Sequence, residues 1–213
     1  MFNQMVICST YQGARVKKKR LFEGKKRGAG TMFPVLETER LILREIVKED
    51  AAGIFACFSN EHVIRFYGQE RLKTIDQAES FVDFFNKNYH EKRGIRWGIE
   101  RKETVGIIGT IGFNAWSPKH KRAEIGYELH PGHWRKGYVS EALEKVISHG
   151  FKKMDLNRIG AVVFLENEAS NNLLIKAGFQ REGILRDYMV QGEAAHDTYM
   201  YSLIKGEYNS SIK

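Results

Sequence analysis

The stretch from Ala123 to Ile147, AEIGYELHPGHWRKGYVSEALEKVI, constrains this chain more than any other. Residues 122–129 read as a strand, and Pro131 with Gly132 breaks it. A turn follows at Trp134-Arg135-Lys136-Gly137-Tyr138-Val139. Beyond it, Val139, Ala142, Leu143, Val146, Ile147 and Phe151 fall on one helical face. The backbone N–H groups that open such a helix have no intrahelical partner, and the helix dipole adds partial positive charge there. The turn is therefore an anion site. Gly137 lets the backbone approach a phosphate closely, while Arg135 and Lys136 add charge around it. No Gly-Lys-Ser/Thr follows a glycine at Walker spacing, which argues against a nucleoside triphosphatase.

Around this segment the chain alternates in two styles. Residues 39–47 (ERLILREIV) read as a first strand. A helix over residues 50–58 carries Ile54, Phe55 and Phe58 at helical spacing, with Ser59 and Asn60 closing it. A longer helix opens at Thr74, where Thr74 and Gln77 have capping-box spacing. It carries Ala78, Phe81, Val82, Phe85 and Tyr89 on one face and stops at Gly94. These stripes read as core in preference to a pocket lining. Residues 96–101, 104–113 and 122–129 then form an antiparallel meander. Gly106, Gly109 and Gly112 point to bulges or close backbone approach, since no helix opens after them. The second half runs helix, strand at 158–165, helix near 170–177 ended by Gly178, and strand from Phe179. That order implies parallel neighbours in part of the sheet.

A chain of 213 residues, 42% apolar, fits one domain with a sizeable core. No apolar run is long enough to cross a membrane as a helix, and the charge order of the first residues is not that of a secretory signal. Cys8 and Cys57 supply neither a disulfide framework nor zinc spacing, so a cytoplasmic location is expected. The net charge of +8 is concentrated at one end. Residues 1–31 hold eight basic side chains and one acidic one, whereas the rest has 26 basic against 25 acidic. The expected division is a basic, disordered arm at 1–31 and one domain at 32–213. The arm has three readings: an extension that docks on nucleic acid, a solvated tail, or a segment upstream of a natural start at Met32. The third rests on Glu23 to Gly30, EGKKRGAG, which purine-rich codons like those of a ribosome-binding site can encode. His130 and His133 have zinc-like spacing but no further ligand close in sequence, so they read as loop residues and no metal is expected.

The turn resembles the pyrophosphate loop of the GNAT superfamily of acetyl-CoA-dependent N-acetyltransferases, usually glutamine or arginine, two variable residues, glycine, one more, then glycine or alanine. Tryptophan in the first position is similar to the RimJ/RimL-like group, which includes ribosomal-protein N-terminal acetyltransferases. Val139 in the last position is bulkier than the pattern. TERLILRE (residues 38–45), Asn167-Glu-Ala-Ser170 and Lys176-Ala-Gly-Phe179 are similar to further segments of that group, and the resemblance covers residues 33 to about 207. It implies an α/β fold with a mixed, mostly antiparallel sheet of six to seven strands flanked by helices, containing a splayed parallel pair. It also implies that the amides from Arg135 to Ser140, in the loop Trp134 to Ser140, hold the pyrophosphate. Asn167 would contact the pantetheine arm and Ser170 would lie near the thiol. Leu129, His130 and Asn171 complete the implied cofactor contacts.

What the resemblance implies chemically is direct attack of a neutral amine on the thioester, for which a base is needed. Glu124, in Ala-Glu-Ile, matches the base-bearing strand of the histone-acetylating branch. Tyr188 is the candidate general acid, with Ser170 as alternative; an ordinary tyrosine pKa of about 10 suits protonation of a thiolate. From the residues alone, Glu124 is equally an exposed strand carboxylate, Tyr188 a packed aromatic, and Asn167 and Ser170 helix-capping residues. Cys57 has no basic partner in sequence, which favours direct transfer over an acyl-enzyme. Two other functions stay open: a non-catalytic acyl-CoA sensor, and an RNA-associated protein acting through the arm. The acceptor, a protein N-terminus or a small molecule, is not legible, and neither is the oligomeric state. For the arm, the intact mass of protein expressed from its own promoter is expected to correspond to a start at Met32. A mass including residues 1–31 refutes that start.

Overall fold

Two half-sheets, each antiparallel throughout, are joined by a very short parallel seam. The computed structural model describes residues 32–211; the basic arm at 1–31, with its three readings, lies outside them. In chain order come β1 (Leu36–Glu37), β2 (Leu41–Glu45), α1 (Ala51–Phe58), α2 (Glu61–Ile64), α3 (Ile75–His90), β3 (Ile95–Arg101) and β4 (Ile107–Ser117). They are followed by β5 (Arg122–Leu129), α4 (Tyr138–Lys152), β6 (Arg158–Phe164), α5 (Glu168–Lys176), β7 (Gln180–Gln191), β8 (Ala194–Ile204) and α6 (Lys205–Ser211). Among the described residues the strands lie in the order β1-β2-β3-β4-β5-β6-β8-β7, and only β5 and β6 run parallel. The sheet is mixed and mostly antiparallel, as the resemblance implies. Its eight strands among the described residues exceed the expected six to seven, because β1 has only two residues and leaves no periodic signal.

Local chemistry accounts for the element boundaries. The Thr74 hydroxyl accepts from the Gln77 amide at 3.4 Å and the Gln77 side chain accepts from the Thr74 amide at 3.3 Å, so both halves of the predicted capping box form. The helix they open ends at His90, before Gly94. Gly94 instead serves the next strand, where a Cβ would come within 2.7 Å of the Phe113 carbonyl oxygen. In β4, added Cβ atoms at Gly109 and Gly112 would lie 2.3 and 2.1 Å from the carbonyl oxygens of Glu128 and Ile95. Close backbone approach is thus the reason for these two glycines.

Each face of the sheet has its own core. On one, α4 lays Ala142, Leu143, Val146, Ile147 and Phe151 against Trp97, Phe113, Ile159 and Tyr201, bridging both half-sheets. On the other, α1 and α3 bury Ile54, Phe58, Ala78, Val82 and Phe85 around Ile46 and Ile107. Burial of such side chains contributes about 1.5–3 kcal/mol each. The stripes of the early helices are therefore core, as read from the sequence.

Beneath α3 the sheet carries a buried ion pair that sequence spacing does not show. Arg96 on β3 donates to Glu128 on β5, to Thr110 Oγ1 at 3.0 Å and to the Gly126 carbonyl at 3.1 Å, and Thr110 donates to Glu128 at 2.7 Å. The two charged side chains are only 4% and 7% exposed, so neither has water to replace its partner. Removing one partner leaves an uncompensated charge. Arg96→Met is therefore expected to lose about 3–5 kcal/mol of stability in urea denaturation. Arg96→Met combined with Glu128→Leu is expected to recover most of that loss; additive losses contradict the pairing.

Candidate active site at the split between β5 and β6

The parallel seam consists of Arg122, Ala123 and Glu124 against Arg158, Ile159 and Gly160. Beyond it each strand stays with its outer neighbour. β5 remains paired to β4 through Leu129, and β6 remains paired to β8 through Phe164. Among the described residues no strand pairs with residues 125–129 on the β6 side, so the sheet opens into a split whose closed end is at Glu124. At the open end β5 passes into the loop that starts α4.

That loop is held in shape by contacts from three directions. Trp134 folds back so that its Nε1–H donates to the Leu129 carbonyl at 2.6 Å. His130 accepts the Gly132 amide on its Nδ1 at 3.2 Å, and Lys136 Nζ donates to the Gly132 carbonyl at 2.8 Å. Gly137 caps α4 with φ of 78°, a left-handed conformation that costs glycine nothing. The preceding Arg135 also has a positive φ, 58°. Tyr138 turns inward and is buried, Val139 is half-buried against the core, and Ser140 is exposed. With Tyr138 and Val139 anchoring the first turn, Arg135, Lys136, Gly137 and Ser140 are left on the surface.

From the third direction comes the turn between β1 and β2, an anchor that sequence spacing does not show. Glu141, in the first turn of α4, accepts from Thr38 Oγ1 at 2.5 Å, from the Arg40 amide at 2.8 Å and from Arg40 Nε at 2.6 Å. Arg40 Nη1 also donates to the Lys136 carbonyl at 2.9 Å, and its guanidinium lies 4.7 Å from the centre of the Tyr138 ring. Burial pushes the Glu141 carboxyl up, but the hydrogen bonds from Thr38 and Arg40 outweigh it and hold it below its ordinary value. Burial, then the charges of Lys136 and Arg101, hold His133 below its ordinary value. The second cause registers the positive field at the helix start.

At the β6 lip, Asn167 caps α5 by accepting the Ser170 amide at 3.2 Å, so its side chain is used as a helix cap. Buried Asn171 donates through Nδ2 to the carbonyls of Phe164 and Leu165 at 3.3 and 3.1 Å. Its Oδ1 is buried without a partner among the described residues. Ser170 is brought to β5: its hydroxyl lies 2.7 Å from the Tyr127 hydroxyl. Glu124 is half-buried at the closed end, paired in register with Asn114 and Gly160. Tyr188 is placed elsewhere, 52% exposed on β7, the outermost strand. Cys57 is a core thiol that donates to the Ile108 carbonyl, and burial pushes its pKa up to about 12.

The far side of the split is roofed by the α1 to α3 region. Gln191, at the end of β7, accepts the Gly68 amide and donates to the Ile64 carbonyl, both at 3.1 Å. Phe66 rests 6.0 Å from Phe164, the last residue of β6. The segment after α2 is thereby tied to the β7–β8 hairpin over the mouth of the split.

Residues 40–180 match the model of the acetyltransferase (GNAT) domain. The chain belongs to the GNAT acetyltransferase family. It is 59% identical over 174 residues to the uncharacterized N-acetyltransferase YoaA of Bacillus subtilis, covering 82% of this chain and 98% of that protein. A GNAT-family acetyltransferase structure from Bacillus anthracis superposes with a TM-score of 0.72 at 28% identity, over 82% of this chain and all of the other. The fold is shared as well with spermidine N-acetyltransferase from Vibrio cholerae, solved with CoA and spermine (TM-score 0.71, 22% identity, 79% of this chain and 98% of that one). This enzyme is a GNAT-type N-acetyltransferase.

The clasp on Glu141 generates a prediction of its own. Its contribution is full above about pH 4.5, the ordinary carboxyl value, and is lost as pH falls through the lowered one. Glu141→Ala is expected to speed amide hydrogen exchange across residues 135–141 and to cost about 1–2 kcal/mol of stability. Unchanged exchange refutes the clasp.

Proposed function

We propose that this enzyme transfers the acetyl group of acetyl-CoA directly to a primary amine of a protein N-terminus or a small molecule, in the cytoplasm. The observation that carries the reading is the three-residue seam, which opens the sheet between the α4 helix start and Ser170. The residues present suit acetyl-CoA. Amides from Arg135 to Ser140, with the charges of Arg135 and Lys136, match a pyrophosphate. The unpaired edge of β5 and the orphaned Asn171 Oδ1 match the amides of a pantetheine arm. His130 and Trp134 hold the loop's shape. CoA and spermine in the Vibrio cholerae neighbour support the same pairing of cosubstrate and amine.

Acetyl-CoA supplies an activated acyl group, and this chain's residues orient it, exclude water and manage protons. Holding the amine and thioester in line lowers the barrier by on the order of several kcal/mol. Glu124 stands at the closed end of the split, on the sheet face toward α1 and α3, and takes the ammonium proton directly or through water. Of the two hydroxyls expected to serve the leaving sulfur, Ser170 is assigned the role. It lies at the lip of the split, whereas Tyr188 is exposed on the outermost strand. Cys57, sealed in the core with its thiol held protonated, leaves direct transfer as the route.

Thiol release from acetyl-CoA tests the proposal, with an N-terminal serine peptide, spermidine and free lysine as acceptors. At least one is expected to exceed the rate with water, rising with pH as the amine deprotonates. Glu124→Gln is expected to lower that rate about 100-fold. No amine-dependent release overturns the reading, and an undiminished rate in Glu124→Gln removes that residue from it.

A further inference from the structure

The hydroxyl contact between Tyr127 and Ser170 joins the two lips of the split, yet neither strand ladder nor helix capping requires it. Tyr127 belongs to β5, within residues 125–129 that have no strand partner on the β6 side, and Ser170 stands in the first turn of α5, just after β6. The Ser170 amide is already satisfied by Asn167 Oδ1, so its hydroxyl is not spent on capping the helix. The 2.7 Å separation is an ordinary hydrogen bond in which either oxygen has the geometry to donate.

Chemistry decides the direction. A phenol is a far better donor than an alcohol, and a tyrosine oxygen a poorer acceptor than a serine oxygen. Burial, with a smaller opposing contribution from the Ser170 hydrogen bond, pushes the Tyr127 phenol up to about 12, so it keeps its proton throughout the neutral range. With the phenol donating into one lone pair of Ser170 Oγ, the serine's own proton is directed away from Tyr127. A donor chain of this kind polarises its outer member.

We infer that Tyr127 is a positioning residue that turns the Ser170 hydroxyl into a fixed hydrogen-bond donor toward the departing CoA sulfur. The inference rests on the acetyl-CoA reading above. In the step concerned, the amine nitrogen forms a bond to the acetyl carbon and the C–S bond breaks. The sulfur leaves with the electron pair as a thiolate, and the surplus proton of the amine, which enters this step neutral, goes to Glu124 once that carboxylate has returned the first proton to water. Ser170 hydrogen-bonds the thiolate as charge develops, and Tyr127 holds the serine rotor in the donating orientation. The thiolate then takes its proton from water, so neither hydroxyl changes its protonation state.

The test compares Tyr127→Phe, Ser170→Ala, the double variant and Ser170→Thr. Calorimetry gives acetyl-CoA affinity, thermal unfolding gives stability, and single-turnover thiol release gives the chemical step. The acceptor is hydroxylamine, a small amine that is largely neutral at pH 7, or whichever amine turns over in the panel above. Tyr127→Phe and Ser170→Ala are each expected to slow release about tenfold with acetyl-CoA affinity within about twofold of wild type, a split that purely structural damage does not produce. The double variant is expected to match Ser170→Ala, because both act through one proton. Ser170→Thr, which keeps a hydroxyl, is expected to stay within about threefold of wild type. An undiminished rate in Tyr127→Phe, multiplying losses in the double variant, or equal losses in Ser170→Thr and Ser170→Ala overturns the inference. Should Tyr127→Phe fail to fold, the serine pair alone decides it. Failure of wild type to bind acetyl-CoA overturns the functional reading instead, and is read from the calorimetry before any variant is compared.

Discussion

Three backbone pairs between β5 and β6 decide what this molecule is able to do. A longer ladder would close the sheet and leave no passage through it; none at all would let the half-sheets drift. The seam stays short because each strand is fully engaged with its outer neighbour, β5 with β4 and β6 with β8. Strand twist carries the two pairs apart. α4 then holds the halves at a fixed spacing, since its buried face touches strands of both. The split is an arrangement of backbone, and the side chains around it are placed by the strands that diverge.

A passage alone does not select a ligand. In the proposed function selection falls to the helix start at its open end, where the backbone is held by contacts remote in sequence. Glu141 neutralises part of the cationic cluster while anchoring it, so Arg135 and Lys136 remain exposed on a backbone whose conformation is set. On the other face, Arg96 and Glu128 tie three strands together beneath α3, and Gln191 ties the segment after α2 to the hairpin. These contacts brace the sheet on the face toward α1 and α3.

Much of this was legible in the residues because it is local. The break at Pro131, the glycine in the turn, the stripe on α4 and the capping box at Thr74 each follow from a few adjacent positions, and all appear in the fold. The family was legible too, through the loop and the segments around Asn167 and Lys176. What escaped is long-range. β1 is too short to show a period. The Arg40 to Glu141 clasp spans about a hundred residues, Arg96 to Glu128 about thirty, and Tyr127 to Ser170 about forty, so no spacing rule reaches them. Tyr188 stands on a strand whose register shifts between Leu185 and Met189, whereas Ser170 belongs to a contiguous segment and lies at the lip of the split.

The central claim is that the α4 helix start and the split together hold acetyl-CoA. Calorimetric titration of acetyl-CoA into the protein, alongside Gly137→Glu, tests it most directly. Glutamate at a left-handed position would strain the turn, bring a Cβ within 3.3 Å of Arg40 Nη2 and set a negative charge where phosphates are expected. Micromolar binding by the unaltered chain and none detectable by the variant are expected. Equal binding by both, or binding by neither, would contradict the central claim.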